Sequence, residues 1–394
     1  MAGSPLNKQG SSNSSPGLPC QAELQGRLVS LDVLRGLTVA FMILVNNAGD
    51  GAASYAQLRH SAWNGCTLAD LVFPLFLFIV GASISLAFGA RLKRGISRHA
   101  ILLPVARRSL CIFALGLILN ALPFFHLSEL RYYGVLQRIA LCYALASALY
   151  LAGRLAACAA ACTAALAAYW WLLLHVPVPG IGLPGVTVGI LDPYGNLAAW
   201  LDRLLVPQAH LYHHSFYDPE GLLSTLPALA TTLFGVLAMR WLLTARPVWK
   251  KCFLAFVAGI FLIACGLLWA QSFPLNKRLW TSSFVLFTAG ISIAIFALLF
   301  WLIDGPFRLR RSLAPWLAFG ANALSAYVLS ELLAIALGAI QLPSHESLQQ
   351  FLFHLLPRCL APLPMVSMLY SALFVLVCYL PVLFLYRRKI FIKL

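Results

Sequence analysis

Long apolar runs alternate with short polar segments along most of this chain of 394 residues. A helix that crosses the hydrocarbon core of a bilayer needs about 20 predominantly apolar residues. The pattern therefore predicts an all-α, polytopic membrane protein with about ten transmembrane helices. The predicted spans are 28–48, 67–90, 100–122, 133–152, 155–175, 222–243, 251–271, 280–303, 315–339 and 366–386.

Two segments depart from this pattern. Residues 1–26 are rich in Ser, Gly, Pro and Asn and contain no apolar run. We expect them to form a disordered cytosolic tail, followed by a transmembrane domain over 27–394. The segment 176–221 is too long for a simple connector, and such long loops are usually functional. We therefore expect a functional loop on the periplasmic side.

The charged residues indicate the orientation. Only 10% of the residues are charged, and the net charge is +16. Lys and Arg are concentrated in every second loop, which places those loops and both termini in the cytosol. Eight of the nine histidines fall on the other side. The excess of basic over acidic residues thus reflects membrane topology. We expect the protein to lie in a lipid bilayer and to have no nucleic-acid partner.

A polar loop directly before the second predicted span carries the strongest candidate chemistry. Burying polar, titratable groups at a membrane boundary is energetically unfavourable, so such groups usually have a function. His60 is suited to proton transfer, and Asp70 lies at the entrance of the span. Trp63 is suited to the membrane interface, and Asn46 and Asn64 offer neutral donors for an oxyanion. The alternative for His60 is an interfacial side chain that faces water.

Two pairs of charged residues lie inside predicted spans. Asp32 and Arg35 are three residues apart in the first span, so they share a helix face and are expected to form a structural ion pair. Arg107 and Arg108 lie in the third span, near its cytosolic end. They either extend toward lipid phosphates or form an anion site at the cytosolic mouth.

Gln137 and Arg138 begin the fourth span from the outer side. An arginine at that depth requires a carboxylate or a ligand, so we regard this pair as candidate binding residues.

The long outer loop and the segment after it contain carboxylates, histidines and tyrosines. We interpret them as a polar rim that binds a sugar. A metal site is the alternative, but the histidine spacing is irregular, so we expect no metal. The candidate substrate-binding residues there are Asp202, His210, Asp218 and Glu220.

Several motifs together resemble the transmembrane acyltransferase family typified by heparan-alpha-glucosaminide N-acetyltransferase, including its bacterial NagX-like members. They occur in the family's order and cover most of the membrane domain. The large lumenal domain of the lysosomal enzyme has no counterpart in this sequence. The matching segments are SLDVLRG, LVNNAG, RHSAWNGCTLADLVFP, RYYGVLQRIA, LDRLLVPQAHLYHH, YDPEGLLSTLPAL and PLNKRLW.

The resemblance implies transfer of an acetyl group from cytosolic acetyl-CoA to an amino sugar of the glucosamine type on the far side. It places the catalytic histidine on His60 and the asparagine near the acetyl group on Asn46. His60 would act either as a general base or as the acetyl acceptor. Arg107 and Arg108, with Gln137 and Arg138, are the candidates for holding acetyl-CoA. Asp70 and Trp63 are candidates for the acceptor.

Other functions remain open at this stage. The chain could instead transport an amino sugar related to N-acetylglucosamine, or transfer acetyl groups to the hydroxyls of an envelope polysaccharide. Compact loops rich in Ala and Leu, and no lysosomal-type leader, favour the inner membrane of a bacterium. A homodimer is an open alternative to a monomer.

Overall fold

A computed structural model describes residues 28–153, 155–309, 312–356 and 362–392. Over these residues the chain is helical, with isolated β-bridges but no sheet. The expected tail over 1–26 lies outside the described residues. The helices are α1 (Val29–Asn46), α2 (Val72–Lys93), α3 (Arg98–Ala121), α4 (Val135–Leu151), α5 (Leu155–His175), α6 (Leu197–Leu205), α7 (Thr225–Leu242), α8 (Val248–Trp269), α9 (Ser282–Leu299), α10 (Ala314–Ala321), α11 (Ala323–Ala339), α12 (Leu348–His354) and α13 (Leu363–Arg387).

Most of these helices match the predicted spans. In the described part of the chain, 8 helices are long and apolar enough to cross a membrane, or 9 if α10 and α11 form one bent span. Helix α4 occupies the predicted span 133–152 but has only 17 residues. The all-α, polytopic membrane fold is confirmed. The count of ten spans and the cytosolic location of both termini stay predictions.

The predicted span 315–339 is not one straight helix. Helices α10 and α11 meet at an angle of 84°. Asn322 stands between them with non-helical angles (φ −122°, ψ 40°). Its side-chain oxygen accepts a hydrogen bond from the Ile392 N–H at 3.2 Å, which fixes the buried bend to the segment after α13. A hydropathy pattern does not reveal a break made by one residue.

Pairs of glycines let three pairs of helices pack with their backbones in contact. A Cβ atom on Gly81 of α2 would lie 1.8 Å from the Thr232 carbonyl oxygen of α7. A Cβ atom on Gly235 of α7 would lie 1.9 Å from the Phe78 carbonyl oxygen of α2. Small residues at such crossings let close packing drive helix association in a membrane. The other pairs are Gly36 with Gly320, between α1 and α10, and Gly259 with Gly290, between α8 and α9.

The loops at one end of the bundle contact each other, and we call this end the site face. It comprises the loops 47–71, 122–134, 176–224 and 270–281. The Gly65 N–H donates to the Leu275 carbonyl at 2.8 Å, and the Trp63 indole N–H donates to the Leu191 carbonyl at 2.7 Å. The opposite face carries exposed basic residues: Arg91, Lys93, Arg94, Arg246 and Lys250.

The long loop of the site face has structure of its own. It contains α6, and Leu191 and Ala198 pack in an apolar cluster with Tyr169 and Leu173 of α5. This burial fixes the loop on the helical bundle and so positions the polar residues that it carries.

Replacing Gly81 with alanine tests the contact between α2 and α7. We expect Gly81→Ala to lower stability by at least the roughly 1–3 kcal/mol typical of overpacking, because the added methyl group overlaps a backbone carbonyl. The unfolding temperature of the purified protein in detergent measures this loss. Gly338→Ala in α11 is the matched control, since a Cβ atom there meets nothing within 4 Å. Equal unfolding temperatures for the two variants would contradict the close contact.

Candidate active site

A histidine and a buried carboxylate form the centre of the site face. Asp70 lies in a 3₁₀ turn that runs directly into α2, and its side chain is 0% exposed. His60 lies in the preceding loop with 42% of its side chain exposed, and its Nδ1 is 2.8 Å from Asp70 Oδ1. The start of a helix favours a negative charge, which helps to stabilise the carboxylate there.

The second oxygen of Asp70 is held by the same loop. Asp70 Oδ2 accepts hydrogen bonds from the backbone N–H groups of Ser61 and Thr67 and from the Thr67 hydroxyl, each at 3.1 Å. The carboxylate is therefore fixed in one orientation. A fixed carboxylate that accepts the Nδ1 proton selects one tautomer of the imidazole, which leaves Nε2 of His60 free to accept a proton.

A lysine from a distant part of the chain completes this centre. Lys277 lies between α8 and α9, and its Nζ is 3.0 Å from His60 Nδ1 and 3.2 Å from His60 Nε2. Its distance to Asp70 Oδ1 is 3.6 Å. Burial lowers the pKa of the Lys277 ammonium, and the charges of Asp70 and Glu220 offset only part of this lowering. Lys277 lies within the segment PLNKRLW, but no local pattern in the sequence predicts a role for it.

The loop of His60 and the loop of Lys277 are joined by a short backbone pairing. Gly65 and Asn276 form an isolated parallel bridge. The Asn276 side chain donates to Asn64 Oδ1 at 3.1 Å, and its oxygen accepts from the Leu279 N–H at 2.8 Å. Asn64, predicted as a catalytic amide, thus contributes its oxygen to holding the two loops together.

An open cleft of about 260 Å³ lies beside this pairing. Trp63 forms one wall, held by its hydrogen bond to the Leu191 carbonyl and by an edge contact with the Tyr217 ring at 5.0 Å. The other lining residues are Asn64, Gly189, Ile190, Leu191, Asp192, Pro193 and Pro274. The cleft joins an aromatic side chain to polar groups, a combination suited to a sugar.

Asp202 and Asp218, predicted to bind a sugar, are almost fully buried, at 1% and 3% exposure. Asp202 accepts hydrogen bonds from the backbone N–H groups of Asp218 and Leu222 at 3.2 and 3.3 Å. Asp218 accepts from the Arg131 guanidinium at 2.9 Å. The hydrogen bonds described for both carboxylates are made within the protein, so both residues hold the long loop in place.

Glu220 interacts both with Arg131, which also binds Asp218, and with Lys277 at the centre of the site. Its carboxylate pairs with Arg131 at 2.5 Å. Burial raises the pKa of Glu220, but the charges of Arg131 and Arg138 outweigh burial and bring the pKa below its usual range. Lys277 contributes in the same direction. Glu220 therefore lies within electrostatic reach of the Lys277 ammonium.

His210 fixes two loops to each other. Its ring stacks on Tyr132 with 4.3 Å between the ring centroids, and its Nδ1 lies 2.7 Å from the Leu130 carbonyl oxygen. His213 and His214 are exposed. Within the described residues, no group of three or more His, Cys, Asp and Glu side chains is arranged to hold a metal ion.

Gln137 and Arg138 are buried at the start of α4, at 3% and 1% exposure. Arg138 donates to the Gly221 carbonyl at 3.1 Å and to the Ser224 hydroxyl, and it lies over the Trp280 ring. Among the described residues, Arg138 Nε and Nη1 and Gln137 Nε2 have no hydrogen-bond partner. The predicted role of Gln137 and Arg138 toward acetyl-CoA stays a prediction.

Arg107 and Arg108 lie apart from this centre, on the exposed surface of α3. They are 9 and 10 residues from the first residue of this helix, Arg98, or roughly 15 Å at 1.5 Å per residue. The Arg108 guanidinium lies over the Tyr143 ring, 5.3 Å from its centroid. Their predicted role toward acetyl-CoA stays a prediction.

Two predicted residues of α1 lie at different depths. Asn46 is the last residue of the helix, is exposed, and begins the loop that leads to His60. Arg35 lies deeper, with Nη1 at 2.9 Å from Asp32 Oδ1 and Nη2 at 2.9 Å from the Ser83 hydroxyl of α2. The ion pair therefore bridges helices and lies outside the site face.

The chain is similar in sequence to proteins of known function. Residues 27–181 match the family model described as heparan-alpha-glucosaminide N-acetyltransferase, catalytic. Human heparan-alpha-glucosaminide N-acetyltransferase is 30% identical over 421 residues, which cover 94% of this chain and 60% of the relative. The mouse protein of the same name is 29% identical over 420 residues, covering 93% and 60%. The chain thus spans 60% of the length of these curated relatives.

The protonation of Asp202 provides a test of its role in holding the long loop in place. Burial raises the pKa of this carboxyl from 3.8 to about 7. Between these two values the folded protein binds more protons than the unfolded chain, so the contribution of Asp202 to stability falls as pH rises from about 4 to about 7. We expect Asp202→Asn to lose this pH dependence, even though its absolute stability is lower.

Unfolding temperatures measured between pH 4 and pH 8 check this expectation. The control is Asp50→Asn, a half-buried aspartate whose oxygen accepts from the N–H groups of Ala52 and Ala53. We expect the control to follow the wild-type pH dependence. Parallel curves for wild type and Asp202→Asn would contradict the role of this carboxyl.

Proposed function

The chain belongs to the heparan-alpha-glucosaminide N-acetyltransferase family, and on this premise we propose that it transfers an acetyl group from acetyl-CoA to the amine of a glucosamine-type sugar. The observation that carries the proposal is the pairing of His60 with the buried carboxylate of Asp70 at 2.8 Å. A partly exposed histidine held by a carboxylate is suited to general acid–base catalysis of acyl transfer.

The chemistry follows from the orientation of the imidazole. His60 Nδ1 donates its proton to Asp70, so Nε2 accepts a proton from the sugar amine as the amine attacks the thioester carbon. A C–N bond forms, the C–S bond breaks, and the imidazolium returns the proton to the departing thiolate. Asp70 stabilises the imidazolium while it exists. An acetylated His60 is the alternative intermediate.

The donor approaches from the opposite face in this proposal. Acetyl-CoA carries several phosphate charges and cannot cross the hydrocarbon core, whereas the opposite face carries several exposed basic residues that can attract it. Its pantetheine arm extends between the helices toward His60. The unpartnered donors of Arg138 and Gln137 can bind carbonyl groups of this arm, and Arg107 and Arg108 can bind its phosphates.

The acceptor enters from the site face. The cleft beside Trp63 and Asn64 provides an aromatic wall and an amide, which suit the apolar face and the hydroxyls of a pyranose ring. Asn46 is proposed, from the family resemblance, as a donor to the acetyl oxygen. In the inner membrane of a bacterium, the donor would come from the cytosol and the acceptor from the periplasm.

Replacing His60 tests the proposed transfer. We expect His60→Ala to lower the rate of thiol release from acetyl-CoA with glucosamine by about 10²–10⁴-fold, the usual contribution of a general base. Asp70→Asn should also reduce the rate, because its amide favours the wrong tautomer of His60. The His60 side chain is partly exposed, so we expect the variant to remain folded, with an unchanged elution volume in gel filtration.

Two further observations in the same assay separate the alternatives. An amide product resists alkaline hydroxylamine, whereas an O-acetyl ester is cleaved. A transporter releases no thiol but moves labelled glucosamine into proteoliposomes without an acetyl donor. Wild-type turnover by His60→Ala would remove this residue from the mechanism.

The proposed donor site gives a separate prediction. We expect Arg107→Ala and Arg108→Ala to raise the KM for acetyl-CoA and to leave the KM for glucosamine unchanged, because each removes a charge from the phosphate site. The matched control is Arg387→Ala, an exposed arginine at the end of α13. If both variants match this control, Arg107 and Arg108 interact with lipid and have no role in donor binding.

A further inference from the structure

The position of Lys277 is not explained by a structural ion pair alone. Its Nζ lies closer to the two ring nitrogens of His60, at 3.0 and 3.2 Å, than to Asp70 Oδ1, at 3.6 Å. A lysine that only neutralised Asp70 would be expected to lie closest to the carboxylate, whereas its ion pair with Asp70 is the longest of these three contacts. Lys277 instead lies against the catalytic ring, next to the nitrogen that must receive the substrate proton.

The hydrogen-bonding capacity of the ammonium supports the same conclusion. An ammonium has three N–H donors. With its Nδ1 proton directed to Asp70, the His60 ring offers one lone pair, on Nε2. Lys277 Nζ therefore has one acceptor on His60, at Nε2, and one on Asp70, at Oδ1, and only 18% of its side chain is exposed. At least one donor therefore remains for a ligand that enters beside the ring.

We propose that Lys277 is a catalytic residue whose ammonium hydrogen-bonds the oxyanion that forms on the acetyl carbonyl during transfer. This proposal rests on the acetyl transfer proposed above. In the resting protein the ammonium occupies the space beside Nε2 of His60. When the thioester and the amine bind, the ammonium shifts from the ring to the carbonyl oxygen, which exposes the base and stabilises the developing charge at once.

The step balances without any further reactant. The acceptor nitrogen forms a bond to the carbonyl carbon, and the carbonyl π electrons move to the oxygen that Lys277 contacts. His60 takes one proton from the nitrogen. As the carbonyl re-forms, the C–S bond breaks and the proton passes from His60 to sulfur. Lys277 keeps its proton throughout and acts only as a fixed positive donor.

Substitutions at Lys277 separate a catalytic role from a structural one. We expect Lys277→Met to lower kcat by about 10²–10³-fold, as for the loss of one oxyanion donor, while the KM for each substrate stays near its wild-type value. Lys277→Arg retains the charge and should recover part of the rate. The matched control is Arg387→Met, since Arg387 is exposed at the end of α13 and has no proposed role in the site.

The pH profile gives a second readout that does not depend on the methionine variant. The titratable and charged groups around the Lys277 ammonium are His60, Cys66, Asp70, Glu220 and Arg278. Because burial lowers its pKa, wild-type kcat should fall on the alkaline side as the ammonium loses its proton. Lys277→Arg should keep its activity there, since a guanidinium stays charged.

The outcomes distinguish this proposal from the one on which it rests. Transfer by the wild type, with unchanged kcat in Lys277→Met, overturns the role of Lys277 and leaves the acetyl transfer intact. A Lys277→Arg variant that is as slow as Lys277→Met, or that shares the wild-type alkaline decline, also overturns it. Absence of thiol release by the wild type overturns both proposals.

Discussion

The buried carboxylate of Asp70 is the group on which the site depends. An ionised carboxylate without water must be compensated, because its desolvation is expensive. Here the compensation comes from His60, from two backbone N–H groups, from the Thr67 hydroxyl and from the nearby Lys277. The loop 59–67 folds around Asp70 to supply these contacts. The same contacts that stabilise the buried charge therefore fix the imidazole of His60.

The helical frame explains why such a centre can be held in place. Helices α2 and α7 pack with their backbones in contact at Gly81 and Gly235, and Asp70 lies at the start of α2. At the same end of this pair, Arg138 of α4 donates to the Gly221 carbonyl just before α7. Close helix packing thus positions the first residues of α2 and α7, where the site-face loops are attached.

The sequence predicts the helices well because the length of an apolar run directly reports a membrane-spanning helix. It does not reveal the bend at Asn322, since one non-helical residue leaves the hydropathy of 315–339 unchanged. His60 and Asp70 could be recognised because they lie 10 residues apart beside an apolar run. Lys277 could not, because 217 residues separate it from His60, and no local pattern encodes that contact. The burial of Asp202 could not be recognised either, because its sequence context resembles a polar rim.

The central claim is that one site, centred on His60, receives donor and acceptor from opposite faces of the membrane. Proteoliposomes loaded with acetyl-labelled acetyl-CoA, with glucosamine present only outside, test this claim directly. The account predicts that labelled N-acetylglucosamine appears outside at a constant rate, while proteoliposomes carrying His60→Ala produce none. Product that forms only when donor and acceptor share one compartment would contradict transfer across the membrane.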